Sequence, residues 1–360
     1  MVEWLAGNRI KGTSTERTTG AGFNPGDAVT GGWKELGRTT LGSTGDTMDV
    51  SSLADKRYYM VLGNAINTGG VIDINQRFGS TTIDTGNNYA RRQSINGGSD
   101  GASAPRSNID SSIDGAVNHF MVSYIANKSD KEKLVQSSYT EGNATGAGSA
   151  PERSETVGKW TNTSNPIDIM RLYNTQAGDY ATGSEAVVLG WDPADTHTTN
   201  FWEELADVTL SSASDTLSSG TITAKKYLWV QTYVKAVSGT AEPDMRFNGD
   251  SGSNYADRYS INGGSDATGT SISQGVRGTG VAVSAFFNDF IINNASNEKL
   301  VIRHITYVST AGAGTAPNRR ETVGKWANTS NQITSIDWVE NSGGAGQMDI
   351  GSFVKVWGSN

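Results

Sequence analysis

The 360 residues leave room for two ordinary domains, and the lack of any cysteine removes disulfide frameworks, thiolate metal sites and a cysteine nucleophile. With 44 glycines, 7 prolines, 35% hydrophobic residues and a net charge of −8 without any Lys/Arg run, the chain reads as a many-stranded β protein with no nucleic-acid-binding face. No run of 18 apolar residues occurs, so no membrane insertion is expected. The opening MVEWLAGNRIKGTSTERT lacks the apolar core of a signal peptide, so folding in the cytoplasm is the expectation.

Residues 1–32 are rich in Gly and Thr, show little periodicity and are expected to form an extended arm. From Trp33 the chain repeats itself. WKEL at Trp33 returns as WEEL at Trp202, Asp46-Thr47 as Asp215-Thr216, and Arg77-Phe78 as Arg246-Phe247, all 169 residues apart. Beyond Phe78 the offset is 166, so the first copy carries three extra residues within GSTTIDTG, where a surface loop is expected. NNYARRQSINGGSD at 87–100 then matches SNYADRYSINGGSD at 253–266, and KEKLV at 131–135 matches NEKLV at 297–301. GAGSAPERSETVGKWTNTSN at 146–165 returns as GAGTAPNRRETVGKWANTSN at 312–331, with sixteen of twenty positions identical. Trp191 pairs with Trp357. The expected layout is an arm at 1–32, one repeat at 33–192, a polar linker at 193–201 and a second repeat at 202–360. A period this long is domain-sized, so each copy should hold its own core.

The second copy shows its strands clearly. Residues 225–237 alternate, with Leu228, Val230, Thr232 and Val234 on one face and Tyr227, Trp229, Gln231 and Tyr233 on the other. Residues 281–293 are an apolar run, 299–310 alternate again, and 351–358 close the repeat as 183–191 close the first. No helical period of useful length interrupts them. The spacing predicts an all-β chain: two tandem, duplicated antiparallel β-sandwich domains of about eight strands each, jelly-roll-like, with an extended N-terminal arm.

Signals for chemistry are sparse. His119, His197 and His304 have no metal spacing, and neither His119 nor His304 is retained in the other copy (Ala285 and Ser138 stand there). The duplicated acids Glu35/Glu204, Asp46/Asp215, Asp84/Asp250, Asp100/Asp266, Glu132/Glu298 and Glu155/Glu321 sit in turn-like or strand-edge contexts, which suits solvated turns better than a paired-carboxylate glycosidase. No catalytic residue is assigned and an enzyme is not expected. DTGNNYA at 84–90 and DSGSNYA at 250–256 carry the Asp, Asn and Gly of an Asx-type turn; Ca2+ is the cofactor considered, at Asp84 and Asp250. The duplicated Trp33/Trp202, Trp160/Trp326 and Trp191/Trp357 read as core plugs. The candidate ligand contacts are Asn88, Tyr89 and Arg92 with Asn254, Tyr255 and Arg258, an aromatic ring beside an amide and a guanidinium. The candidate interface residues are Arg153, Glu155 and Lys159 with Arg319, Glu321 and Lys325; the plainer reading is a hairpin with a cross-strand ion pair.

LAGNRIKGTSTERT near the start, RFNGDSGSNYADRYSINGG in the second copy and the closing Gly-Ser-x-x-x-x-x-Gly after a Trp-containing segment resemble marine tailed-phage virion proteins with lectin-like jelly-roll domains. That resemblance covers most of both repeats and implies a structural role in a virion, as capsid decoration or as tail fibre or appendage. The expectation is a homo-oligomer, a trimer, whose arm contacts other virion proteins and whose loops contact a host surface glycan. The alternatives are a carbohydrate-binding adhesin or module and a double jelly-roll major capsid protein.

Overall fold

In a computed structural model, which describes residues 4–5, 8–9, 32–110, 112–195, 199–237, 239–342 and 347–360, every element is a strand. The expectations for the arm, apart from the two-residue strands β1 (Trp4–Leu5) and β2 (Asn8–Arg9), and for His197 lie outside the described residues.

The first repeat carries β3 (Lys34–Thr40), β4 (Thr47–Val50), β5 (Tyr58–Ala65), β6 (Asn75–Gly79), β7 (Tyr89–Ile95), β8 (Gly101–Arg106) and β9 (Ile109–Asp110). It continues with β10 (His119–Ala126), β11 (Lys133–Glu141), β12 (Glu152–Trp160), β13 (Ile169–Tyr173) and β14 (Glu185–Trp191). They form an eight-stranded sheet, β3-β14-β5-β10-β11-β12-β7-β8, and a four-stranded sheet, β4-β13-β6-β9. The second repeat holds β15 (Glu203–Thr209), β16 (Thr216–Ser218), β17 (Tyr227–Lys235), β18 (Pro243–Phe247), β19 (Tyr255–Ile261) and β20 (Ala267–Ile272). To these it adds β21 (Ser284–Ile292), β22 (Lys299–Val308), β23 (Asn318–Trp326), β24 (Ile336–Glu340) and β25 (Phe353–Ser359). Its large sheet runs β15-β25-β17-β21-β22-β23-β19-β20, and its small sheet β16-β24-β18.

The strand order is the same in both copies apart from the edge strand β9 of the first, and neighbouring strands run antiparallel. Each copy is a sandwich because both sheets turn apolar faces into one core. Val61, Met121 and Val135 meet Met48, Phe78 and Leu172 in the first; Val230, Phe287 and Val301 meet Met245, Ile336 and Trp338 in the second. The expected figure of about eight strands per repeat is met by the large sheet alone. Two packed sheets were expected, and the strand count fell short because the strands of the small sheet are only two to five residues long, too short to show a period of two. Central strands are buried on both faces, Met60 and Leu62 on β5 and Trp229 on β17 included, which is why they read as apolar runs. The three extra residues of the first copy fall in the turn after β6, where Thr81 and Thr82 are exposed.

By spatial contact the chain divides into two compact units whose edges differ from the sequence repeats. The first comprises Met1–Ile95, Ser99–Tyr139 and Ser154–Glu204. The second comprises Asn96–Gly98, Thr140–Arg153 and Leu205–Asn360. The tip of the β11–β12 hairpin therefore belongs to the second unit.

Candidate functional site

The loop before β7 is built around Asp84. Its carboxylate accepts N–H groups from Gly86 (2.8 Å), the Asn88 side chain (2.9 Å) and the Trp160 indole (2.8 Å). Asp250 repeats this with Gly252 (2.8 Å), Asn254 (2.9 Å) and Trp326 (2.7 Å). Burial alone would raise the Asp84 carboxyl, but the Trp160, Asn88 and Gly86 hydrogen bonds together outweigh it and hold it below the ordinary aspartate range; Asp250 behaves alike. A ring of N–H donors is the reverse of the oxygen cage that holds Ca2+. In this geometry the two aspartates act as turn caps.

Tyr89 and Tyr255 correct the expectation of an exposed sugar platform. Both begin a strand and point inward, at 1% and 0% exposure. Their rings stack on Trp160 and Trp326, and their hydroxyls donate to the carbonyls of Phe78 (3.0 Å) and Asp250 (3.1 Å), respectively. A ring packed in the core offers no face to a ligand. Asn88 and Asn254 are exposed but tied to their aspartates. Arg92 is exposed on β7, 3.8 Å from Asp100. Of the duplicated tryptophans, Trp33, Trp160, Trp202, Trp326 and Trp357 are buried as expected of core plugs, and Trp191 stacks on Tyr58.

The residues named as an interface divide sharply. In the second unit, Arg153 at the base of the hairpin tip makes a two-pronged bond to Asp266 (3.0 and 2.7 Å), with side-chain exposures of 4% and 3%. Lys325 on β23 donates to the carbonyls of Gly142 (2.8 Å) and Ala144 (2.6 Å), while Glu298 accepts the Gly146 N–H. Arg258 donates to the Pro151 carbonyl (2.9 Å), and the Ser271 N–H to that of Ala147 (2.8 Å). The tip is thus held by charged side chains gripping its backbone. Lys159, by contrast, pairs with Glu132 (2.9 Å) at half exposure, and Arg319 reaches Glu321 at the surface. Glu155 sits half-buried on β12, opposite Ser94. Sequence reasoning named the side chains but missed what they hold, because the ligand is backbone; its only signal was the recurrence of GAG and AP between two strands.

Beneath the tryptophans lies a further duplicate. Lys133 and Lys299 cap turns, donating to the carbonyls of Asn162 and Asn328 (both 2.8 Å), each 5.6 Å from its tryptophan ring. His119 is buried against Tyr139, its Nδ1 at 2.7 Å from the hydroxyl, and His304 is exposed. Among the described residues no cluster of three or more His, Asp or Glu side chains is arranged to hold a metal ion.

No family model and no curated protein matches the chain. Among solved structures it is similar to domains LG4-5 of the mouse laminin alpha1 chain, at 9% identity and a TM-score of 0.20, over 91% of this chain and 90% of that one. A superposition that loose carries no argument, and the fold assignment rests on the sheets described above.

Proposed function

We propose that the chain is a non-catalytic structural protein that joins β-sandwich repeats into a larger assembly; in the finer reading it is a capsid-decoration or fibre-type component of a tailed-phage virion. The observation that carries the reading is the seated hairpin tip: the side chains that grip it in the second unit are present in duplicate, so the chain holds a reusable joint. The other duplicated polar groups support it, since Asp84, Asp250, Lys133 and Lys299 are committed to turns. The phage reading is supported by the sequence resemblance. Sugar stacking on Tyr89 and Tyr255 forms no part of the proposal, because both rings are buried.

Two measurements test it. Incubation with a panel of bacterial surface polysaccharides is expected to release no reducing sugar, and sustained release would overturn the non-catalytic reading. Mass spectrometry of purified particles from a culture that encodes the chain is expected to find it as a multicopy component; its absence would remove the virion assignment.

A further inference from the structure

Each side chain that seats the tip in the second unit has a counterpart in the first: Lys325 and Lys159, Glu298 and Glu132, Asp266 and Asp100, Arg258 and Arg92. Where the tip sits, the Lys325 and Glu298 side chains are 0% and 13% exposed and lie 3.9 Å apart, bridged by tip backbone. In the first unit Lys159 and Glu132 are 42% and 40% exposed and bond each other directly. Asp266 is buried beneath Arg153, whereas Asp100 is 54% exposed. The first unit therefore displays the same seat in the open state.

A second tip is also on display. GAGTAPNR at 312–319 differs from GAGSAPER at 146–153 at two positions, and residues 311–317 are all exposed. Its backbone matches the seated form at Gly312 and at its C-terminal base; ahead of them Asn143 turns at φ +60° where Ser309 does not, so that turn must form on seating. Arg319 N–H donates to the Asn262 side chain, and Asn262 N–H to the Arg319 carbonyl, both at 3.0 Å, as Arg153 and Asn96 do. Gly312 holds φ +91° where Gly146 holds +84°, a left-handed conformation suited to glycine. A loop preformed from Gly312 to Arg319 gives up little freedom there on docking, and only the turn at Ser309 has to change.

We infer that the 312–319 tip of one copy seats on Lys159, Glu132, Asp100 and Arg92 of a second copy. The inference rests on the assembly reading above and names its joint. On seating, Arg319 leaves Glu321 for a two-pronged bond to Asp100, Lys159 turns from Glu132 to the carbonyls of Val308 and Thr310, and Glu132 takes the Gly312 N–H. One bond is not reproduced: Pro105 stands where Ser271 donates, and proline has no N–H. Tip and seat are different surfaces, so the contact is heterologous and joins chains head to tail, as a ring if it closes and a filament if it does not. Residues 19–25, TGAGFNP, echo the tip, but Asp27 stands where the arginine is required and would face Asp100 as a like charge, which favours the second copy.

Light scattering on the full chain across a micromolar concentration series, with electron microscopy, tests this. The wild type is expected to assemble. Asp100→Arg and Arg319→Asp each alter a side chain more than half exposed and are expected to weaken assembly roughly a hundredfold, as loss of one partner of a buried charge pair does. The double variant, its charges exchanged, is expected to assemble again. Assembly by both single variants as by the wild type would overturn this joint while leaving the structural reading in place. A wild type that assembles only after removal of residues 1–31 would give the seat to the arm and overturn the proposal. A wild type monomeric in every form would overturn it too, and the polysaccharide and particle measurements would still judge the broader reading.

Discussion

Asp289 and Arg303 face each other across β21 and β22, and neither side chain reaches solvent. Arg303 also donates to the carbonyls of Val276 and Arg277, both at 3.2 Å, and lies 4.6 Å from the centre of the Trp338 ring. At the matching places of the first unit, Ser123 and Ser137 share a hydrogen bond of 2.6 Å, and Gln76 donates to Ser137. The neighbours change in step: Trp338 and Phe287 stand where the first copy has Leu172 and Met121. Burial pushes the Asp289 carboxyl above the ordinary aspartate range, and the Arg303 guanidinium beside it offsets only part of that. Arg303→Met strands a buried carboxylate and is expected to lower the stability of the second unit by about 3–5 kcal/mol. Asp289→Ser with Arg303→Ser, which rebuilds the arrangement of the other copy, is expected to cost less than the two single changes summed. Urea unfolding of the wild type, Arg303→Met, the two single serine variants and the double serine variant measures both; additive losses in the serine cycle would show the two side chains to be uncoupled.

At the scale of elements, the duplication, the long strands and their inward faces were legible in the sequence, because alternation over seven to ten residues survives single exceptions. Leu228, Val230 and Val234 face the core as the pattern required. Tyr89 was not legible as core. The polar run DTGNNYA reads as loop up to its last residues, yet β7 starts at the tyrosine, whose register partner is Trp160, and the first residue of a strand carries no alternation of its own. The β11–β12 tip was legible as a repeat and opaque as a contact, since its bonds are made by carbonyls. One side chain there reports on the seating. Glu141 is buried at the tip's base, and burial first, then the neighbouring Glu152 carboxyl, pushes it up to about 8. A carboxyl raised in the folded state contributes stability that is complete below the ordinary glutamate range and is lost as pH rises through about 8. Hydrogen exchange in 140–153 is therefore expected to quicken several-fold between pH 6 and 9 beyond its intrinsic increase, and Glu141→Gln to remove that excess. Protection independent of pH in the parent protein would contradict it.

At the scale of the whole molecule, the two copies share strand order and turn caps but have drifted apart in their buried ionisable groups, so acid must act on them unequally. The first unit buries His119, which burial pushes down to about 3; the second has Ala285 at that place. A histidine lowered in the folded state contributes stability that is present above its ordinary value of 6.5 and is lost as pH falls toward 3. At pH 4.5 that loss is roughly 2–3 kcal/mol, from two pH steps at about 1.4 each. The second unit moves the other way. Burial pushes Asp244 up to about 6, where the first copy has the uncharged Asn75, and a raised carboxyl returns stability as pH falls through that value. Asp114 of the first unit is raised and His304 of the second is lowered, but both side chains lie exposed and solvent screens their effects. The two units are therefore expected to separate on acidification, the first melting roughly 5–10 °C earlier relative to its partner at pH 4.5 than at pH 7. Scanning calorimetry at the two pH values reads the separation, and brief proteolysis at the lower one identifies the unit that opens, with cuts expected first in 99–139 and 154–192. His119→Gln, which keeps a polar side chain beside Tyr139 without a group to protonate, is expected to draw the transitions together again. Second-unit peptides appearing first at pH 4.5, or a separation unchanged by His119→Gln, would show that the divergence of these buried groups does not set the order in which the molecule comes apart.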